Sequence, residues 1–87
     1  MQDLFEFPCV FPIKIMGEKN PELKNIVHEI LKAHVEEIYI PEITISERES
    51  SGGNYLSITA KFTASSKEQL DNIYKAISAH EAVKFAL

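Results

Sequence analysis

The chain has 87 residues, a net charge of −4 and 25% charged residues, so it is one soluble-type domain whose single hydrophobic core leaves no room for a deeply buried active site. The acidic balance argues against sequence-independent nucleic-acid binding, which needs a basic surface, and the single cysteine, Cys9, excludes an internal disulfide or a cysteine-based metal site. No apolar run approaches the roughly 18 residues of a membrane span, and the start MQDLFEF lacks the basic opening of a secretory signal, so the expected location is cytoplasmic, with no membrane partner.

In chain order, Phe5, Phe7, Cys9, Phe11, Ile13 and Ile15 place an apolar residue at every second position, the period of extended chain with one buried face. Pro8 and Pro12 cannot donate to a sheet ladder, which predicts an extended arm over residues 1–10 and a true strand only from about Phe11 to Met16. A helix is predicted next, over about Pro21 to His34. Asn20 caps it, Pro21 takes the first position, where no N–H is needed, and Glu22 complements the helix dipole. Leu23, Ile26, Val27, Ile30, Leu31 and His34 supply its buried face.

A second strand is predicted from near Ile40, with Ile43 and Ile45 alternating against Thr44 and Ser46, and Glu49 to Asn54, with Ser50, Ser51, Gly52 and Gly53, reads as a hairpin loop. In the third strand Leu56, Ile58, Ala60, Phe62 and Ala64 face one way, and Ser57, Thr59, Lys61 and Thr63 the other. Ser65 and Glu68 form a candidate capping box for a second helix, whose stripe is Leu70, Ile73, Tyr74 and Ile77 and which ends near Ala79. Val83, Phe85 and Leu87 close the chain as a fourth strand. The order strand, helix, strand, strand, helix, strand predicts an α+β, ferredoxin-like βαββαβ sandwich. Its four-stranded antiparallel sheet has the order 4-1-3-2, with both helices on one face.

That fold hosts unrelated chemistries, so each is tested by its site. An RNA-binding sheet stacks bases on aromatics of the central strands, whereas the outward residues here are Lys14, Met16, Ser57, Thr59 and Lys61, with Tyr55 at the margin. The loop Met16-Gly17-Glu18-Lys19 has no cysteine pair for soft metal, and the only arginine, Arg48, lies before the hairpin loop rather than in that first loop, as phosphoryl chemistry would require. His28 and His34 point about 120° apart on a helix and cannot converge on one ion, while His34 and His80 close the two helices, where they suit terminal carbonyls. No nucleophile has a recognisable base, so no enzyme and no cofactor or metal is expected.

Two positive signals remain. The turn of Gly17, Glu18, Lys19 and Asn20 offers backbone amides at a helix start to an anionic or polar ligand, although a glycine there equally serves a tight connection. Lys14, Lys61 and Lys84 fall on the helix-free face of strands one, three and four as expected lateral neighbours, able to meet an acidic partner or simply to keep the sheet solvated.

The segments Glu6-Phe7-Pro8, Lys14-Ile15-Met16-Gly17, Pro21-Glu22-Leu23, Gly53-Asn54-Tyr55 and Ser57-Ile58-Thr59, with the closing Leu87, resemble the YbeD-like family of small uncharacterised bacterial proteins over nearly the whole chain. The resemblance implies a fold similar to the ACT regulatory domains, which bind amino acids or other small metabolites at subunit interfaces near the turn after the first strand. Glu18, Lys19 and Asn20 depart from the glycine or aspartate those domains often place there. The sequence thus leads to a non-enzymatic regulatory or ligand-sensing domain, a homodimer, with a small metabolite near Gly17 to Asn20. The alternative is an adaptor that takes a protein partner on the open sheet face or an edge strand.

Overall fold

Four strands and two helices form as the alternation and the helical spacing require, and the computed structural model describes residues 6–50 and 52–87. Residues 1–5 of the expected 1–10 arm and the loop residue Ser51 lie outside the described residues. Strand β1 (Cys9–Glu18) leads to helix α1 (Leu23–His34), a 3-10 helix (Glu37–Glu42) and β2 (Thr44–Glu49), then β3 (Tyr55–Ala64), helix α2 (Lys67–Ser78) and β4 (Val83–Ala86). All pairings are antiparallel in the order β2-β3-β1-β4, the expected 4-1-3-2 counted from the opposite edge. Ile13 and Ile15 of β1 and Leu56, Ile58, Ala60 and Phe62 of β3 meet Leu23, Val27 and Leu31 of α1 and Leu70, Ile73 and Ile77 of α2 in one buried core.

Five boundaries differ from the sequence reading, each for a local reason. β1 begins at Cys9 rather than Phe11 and takes in Pro12. The Lys14 N–H donates to Leu87 O at 3.0 Å, so two residues earlier the Pro12 nitrogen points to the same side, beyond the β4 pairing, and breaks no bond of that ladder. At its other end β1 runs on through Gly17 and Glu18, which are therefore strand and not turn. Regular helix starts at Leu23, two residues past Pro21, so its N-cap is Glu22 rather than Asn20; Asn20 instead closes the turn before it, its Oδ1 accepting the Glu22 N–H at 2.8 Å and its carbonyl the Leu23 N–H at 2.9 Å.

The expected start of the second strand near Ile40 is instead the 3-10 helix, because Pro41 cannot donate and the Ile43 N–H turns back to Ile40 O at 3.1 Å. Tyr39 and Ile40 pack on the core, and Glu42 accepts from the buried Thr63 hydroxyl at 3.0 Å. The cap of α2 is Ser66, not Ser65. Gln69 N–H donates to Ser66 Oγ at 3.1 Å, while Gln69 Oε1 accepts from Ser65 N–H at 2.7 Å and Gln69 Nε2 donates to His34 O at 2.8 Å. The box is thus shifted by one residue and also ties α2 to the end of α1. Ser66→Ala is expected to cost about 1 kcal/mol in urea denaturation, and Ser65→Ala, which leaves both backbone groups in place, distinctly less.

Candidate functional site

The sequence-predicted turn is used internally. A β-carbon on Gly17 would lie 2.6 Å from Leu23 Cδ2 and 2.7 Å from Ala82 O, so glycine is there to let α1 and the α2–β4 connection close over the end of β1. The Glu18 N–H donates to Ala82 O at 2.9 Å, and Asn20 takes the Glu22 and Leu23 amides as described. Lys19 reaches Glu49 at 3.5 Å and Glu18 reaches Lys84 at 3.6 Å. The amides of Glu18, Glu22 and Leu23 are therefore committed to the fold rather than offered to a ligand.

The helix-free face is different from the one the sequence implied, because β4 carries a bulge. Ile15 pairs with Ala86 and Met16 with Phe85, but Gly17 pairs with Val83, so Lys84 is inserted between two ladder positions. Val83 keeps to the core side, while Phe85 crosses to the open face beside Met16, and Leu87 follows it beside Lys14 through a mutual pair of backbone bonds of 3.0 and 2.7 Å. The expectation that Val83, Phe85 and Leu87 share one face is corrected by that single extra residue. Tyr55, Phe85 and Leu87 are consequently 43%, 50% and 72% exposed, and with half-buried Met16 they form an apolar patch on the β4 side of the face.

The three lysines are all on this face but do not form a lateral row. Lys14 lies opposite Thr59 and next to Leu87, Lys61 lies opposite Pro12 and Thr44, and Lys84 sits in the bulge. Alternation assigns a side of the sheet and not a register, so they are strung diagonally from end to end. The cation brought close to Lys14 is Arg48, on β2 opposite Ser57, although it is far away in sequence.

Lys14 and Arg48, with the hydroxyl residues Ser46, Ser57 and Thr59, line a depression of about 360 Å³. Glu47 borders it, but its pairing with Ile58 directs its side chain to the helix side. Lys14 and Ser57 also line a smaller, mostly apolar depression with Met16, Phe85 and Leu87, so cationic and apolar halves are continuous. Among the described residues neither Lys14, Arg48 nor Lys61 joins an ion pair.

Side chains that sequence reasoning tested for catalysis or metal binding serve the fold. His34 Nδ1–H donates to Ile30 O at 2.9 Å, as expected of a helix end, whereas His80 Nδ1 accepts from the Ala82 N–H at 3.1 Å rather than meeting a carbonyl. Among the described residues no three of His, Cys, Asp and Glu are grouped to hold a metal ion. Burial raises the Tyr74 phenol above its ordinary value, and that ring packs on the core from α2, across the sheet from the open face.

A family model described as a protein of unknown function, DUF493, matches residues 2–87. A UPF0250 protein of Chromobacterium violaceum is 45% identical over 86 residues, covering 99% of this chain and 94% of its own length. One from Paraburkholderia phytofirmans is 43% identical with the same coverage, and one from Neisseria gonorrhoeae is 44% identical over 97% of this chain and 90% of its own. These agree with the resemblance to a small uncharacterised bacterial family drawn from the sequence. The solution structure of protein HP0495 from H. pylori superposes with a TM-score of 0.74 over 99% of this chain and 88% of that one, at 13% identity, a likeness of fold.

Proposed function

Because the chain belongs to the DUF493 family, whose function is unknown, we propose from its geometry that it is a non-catalytic bacterial binding domain that docks a protein partner on the helix-free face of its sheet. The observation that carries this reading is the exposed apolar patch of Met16, Tyr55, Phe85 and Leu87 running directly into Lys14 and Arg48, cations that pair with no acidic group among the described residues. Aromatic residues, methionine and arginine are the types enriched where proteins meet, and a contiguous apolar patch in water is stabilised by being covered. A small-ligand site at Gly17 to Asn20 is the less supported reading, since three amides and the space above Gly17 are already taken.

Photo-crosslinking in the native host tests it. A benzophenone side chain at Thr59 or Phe85 is expected to give an adduct with one and the same partner, whereas the exposed helix positions Lys24 and Lys75 give none. Charge reversal of Lys14 and Lys61 together is expected to reduce the adduct at least about tenfold, the equivalent of one lost charge-assisted contact. Adducts arising equally from the helix positions, or only from Lys19 in the turn, would move the working surface elsewhere.

A further inference from the structure

We infer that the depression between Lys14 and Arg48 is a carboxylate seat, and that the occupant of the face is an extended protein segment carrying an acidic side chain close to apolar ones. The inference rests on the docking reading above and names the chemistry of its partner. Two cations on the open face, one on each side of β3 and one ladder step apart, unpaired among the described residues, belong to a protein whose net charge is −4, so they are local exceptions to its overall sign. The cross-strand register sets them around hydroxyls: Lys14 faces Thr59, which faces Ser46, and one ladder step away Ser57 faces Arg48. None of the Ser46, Ser57 or Thr59 hydroxyls is committed to another described residue. A fork-shaped guanidinium, an ammonium and three free hydroxyls around a concave surface suit an oxyanion, and the charge-assisted bonds they offer are the strong ones.

Charge complementarity chooses among occupants. A second copy laid face to face would bring its own Lys14, Lys61 and Arg48 into the same interface, which like-charge repulsion disfavours. Single-stranded nucleic acid would use the cations and the rings of Tyr55 and Phe85, but Met16 and Leu87 offer no stacking surface and complete the patch in aliphatic chemistry. An acidic and apolar protein segment uses both halves. Strands are about 4.8 Å apart, so the step from the seat over β3 to Phe85 on β4 is about 10 Å, or about three residues of extended chain at about 3.3 Å each. The acidic residue then stands two to four positions from its apolar neighbours, on the same side of the strand.

Amide NMR titration with blocked hexapeptides tests the seat apart from the docking reading. The probe is acetyl-Glu-Ser-Leu-Ser-Phe-Ser-amide, its neutral control carries Gln in place of Glu, and a uridine octanucleotide is the third ligand. The Glu peptide is expected to shift Ser46, Arg48, Ser57 and Thr59 together with Met16 and Phe85, and to bind about tenfold more tightly than the Gln peptide. In the variant Lys14→Ala with Arg48→Ala, both exposed strand positions, that preference is expected to vanish while the Gln peptide binds as before. Equal affinity of the two peptides on the patch would overturn the carboxylate seat and leave the docking reading standing. Peptides that shift nothing on the face, or only Gly17 to Asn20, would overturn both. An octanucleotide that shifts the same amides at lower concentration than the Glu peptide would replace the protein segment as occupant.

Discussion

Replacing Phe62 with alanine is expected to lower the unfolding free energy by about 3–5 kcal/mol, the loss of a buried aromatic side chain plus the cavity it leaves. Phe62 is 1% exposed near the C-terminal end of β3 and is the largest of the fully buried side chains among the described residues. Its register partner Phe11 on β1 is the ring it meets, with centroids 6.4 Å apart and planes tilted by 56°, a favourable arrangement for two aromatic quadrupoles. β1 is held against it in the sheet and two helices lie above, so little can relax into the space. For a domain whose total stability is about 5–15 kcal/mol, a loss of this size consumes roughly a fifth or more of it. Urea denaturation measures it directly, and Phe11→Ala is the internal comparison, expected to cost less because Phe11 is only partly buried. A Phe62→Ala loss below about 1 kcal/mol would mean that the core collapses around the gap and is less tightly specified than its burial indicates.

What the sequence made legible was whatever depends on a local period. Alternation placed Ile13, Ile15, Leu56, Ile58, Ala60 and Phe62 on the core side, and three-and-four spacing placed Leu23, Val27, Leu31, Leu70, Ile73 and Ile77 on the buried helix faces, where all of them stand. Two helices and four one-sided strands then leave few ways to cover one sheet, so the topology followed. The site was less legible because it depends on register and on one inserted residue. Val83, Phe85 and Leu87 fall on the two-residue period, and only the bulge opposite Met16 and Gly17 turns Phe85 and Leu87 to the open face. Gly17 inside an otherwise regular strand was the available signal, since an interior strand glycine often marks a bulge or a close approach, and here it marks both. Arg48 was judged by its distance in sequence from the first loop, whereas cross-strand pairing sets it across β3 from Lys14, on the rim of the same depression. The 3-10 helix was missed because Ile38, Tyr39 and Ile40 carry strand-forming side chains, and Pro41 decided the matter from within.

Replacing Gly17 with valine is expected to unfold the domain at much lower temperature rather than to switch off a ligand site in an intact fold. The first carbon of any side chain there would meet Leu23 Cδ2 at 2.6 Å and Ala82 O at 2.7 Å. Leucine can give way by a rotamer, but Ala82 O is backbone and already accepts the Glu18 N–H at 2.9 Å, so retreating from the new carbon stretches the bond that holds the α2–β4 connection to β1. Overpacking of this kind costs about 1–3 kcal/mol, and alanine falls in that range. Valine adds two methyl groups to the same space and the weakened hydrogen bond adds about 1 kcal/mol, which takes it to the top of the range or above. At about 4–8 °C per kcal/mol for a domain of this size, the melting temperature is expected to fall by roughly 10–20 °C. Lost binding in a Gly17 variant would therefore report on folding, and Lys19→Ala is the sound probe of the turn. Lys19 is exposed and its pair with Glu49 is a surface contact worth under about 1 kcal/mol, so its removal leaves the fold to be compared like with like. A Gly17→Val protein that melts with the wild type would show that the turn has slack the packing denies, and would restore the turn as a place for a ligand.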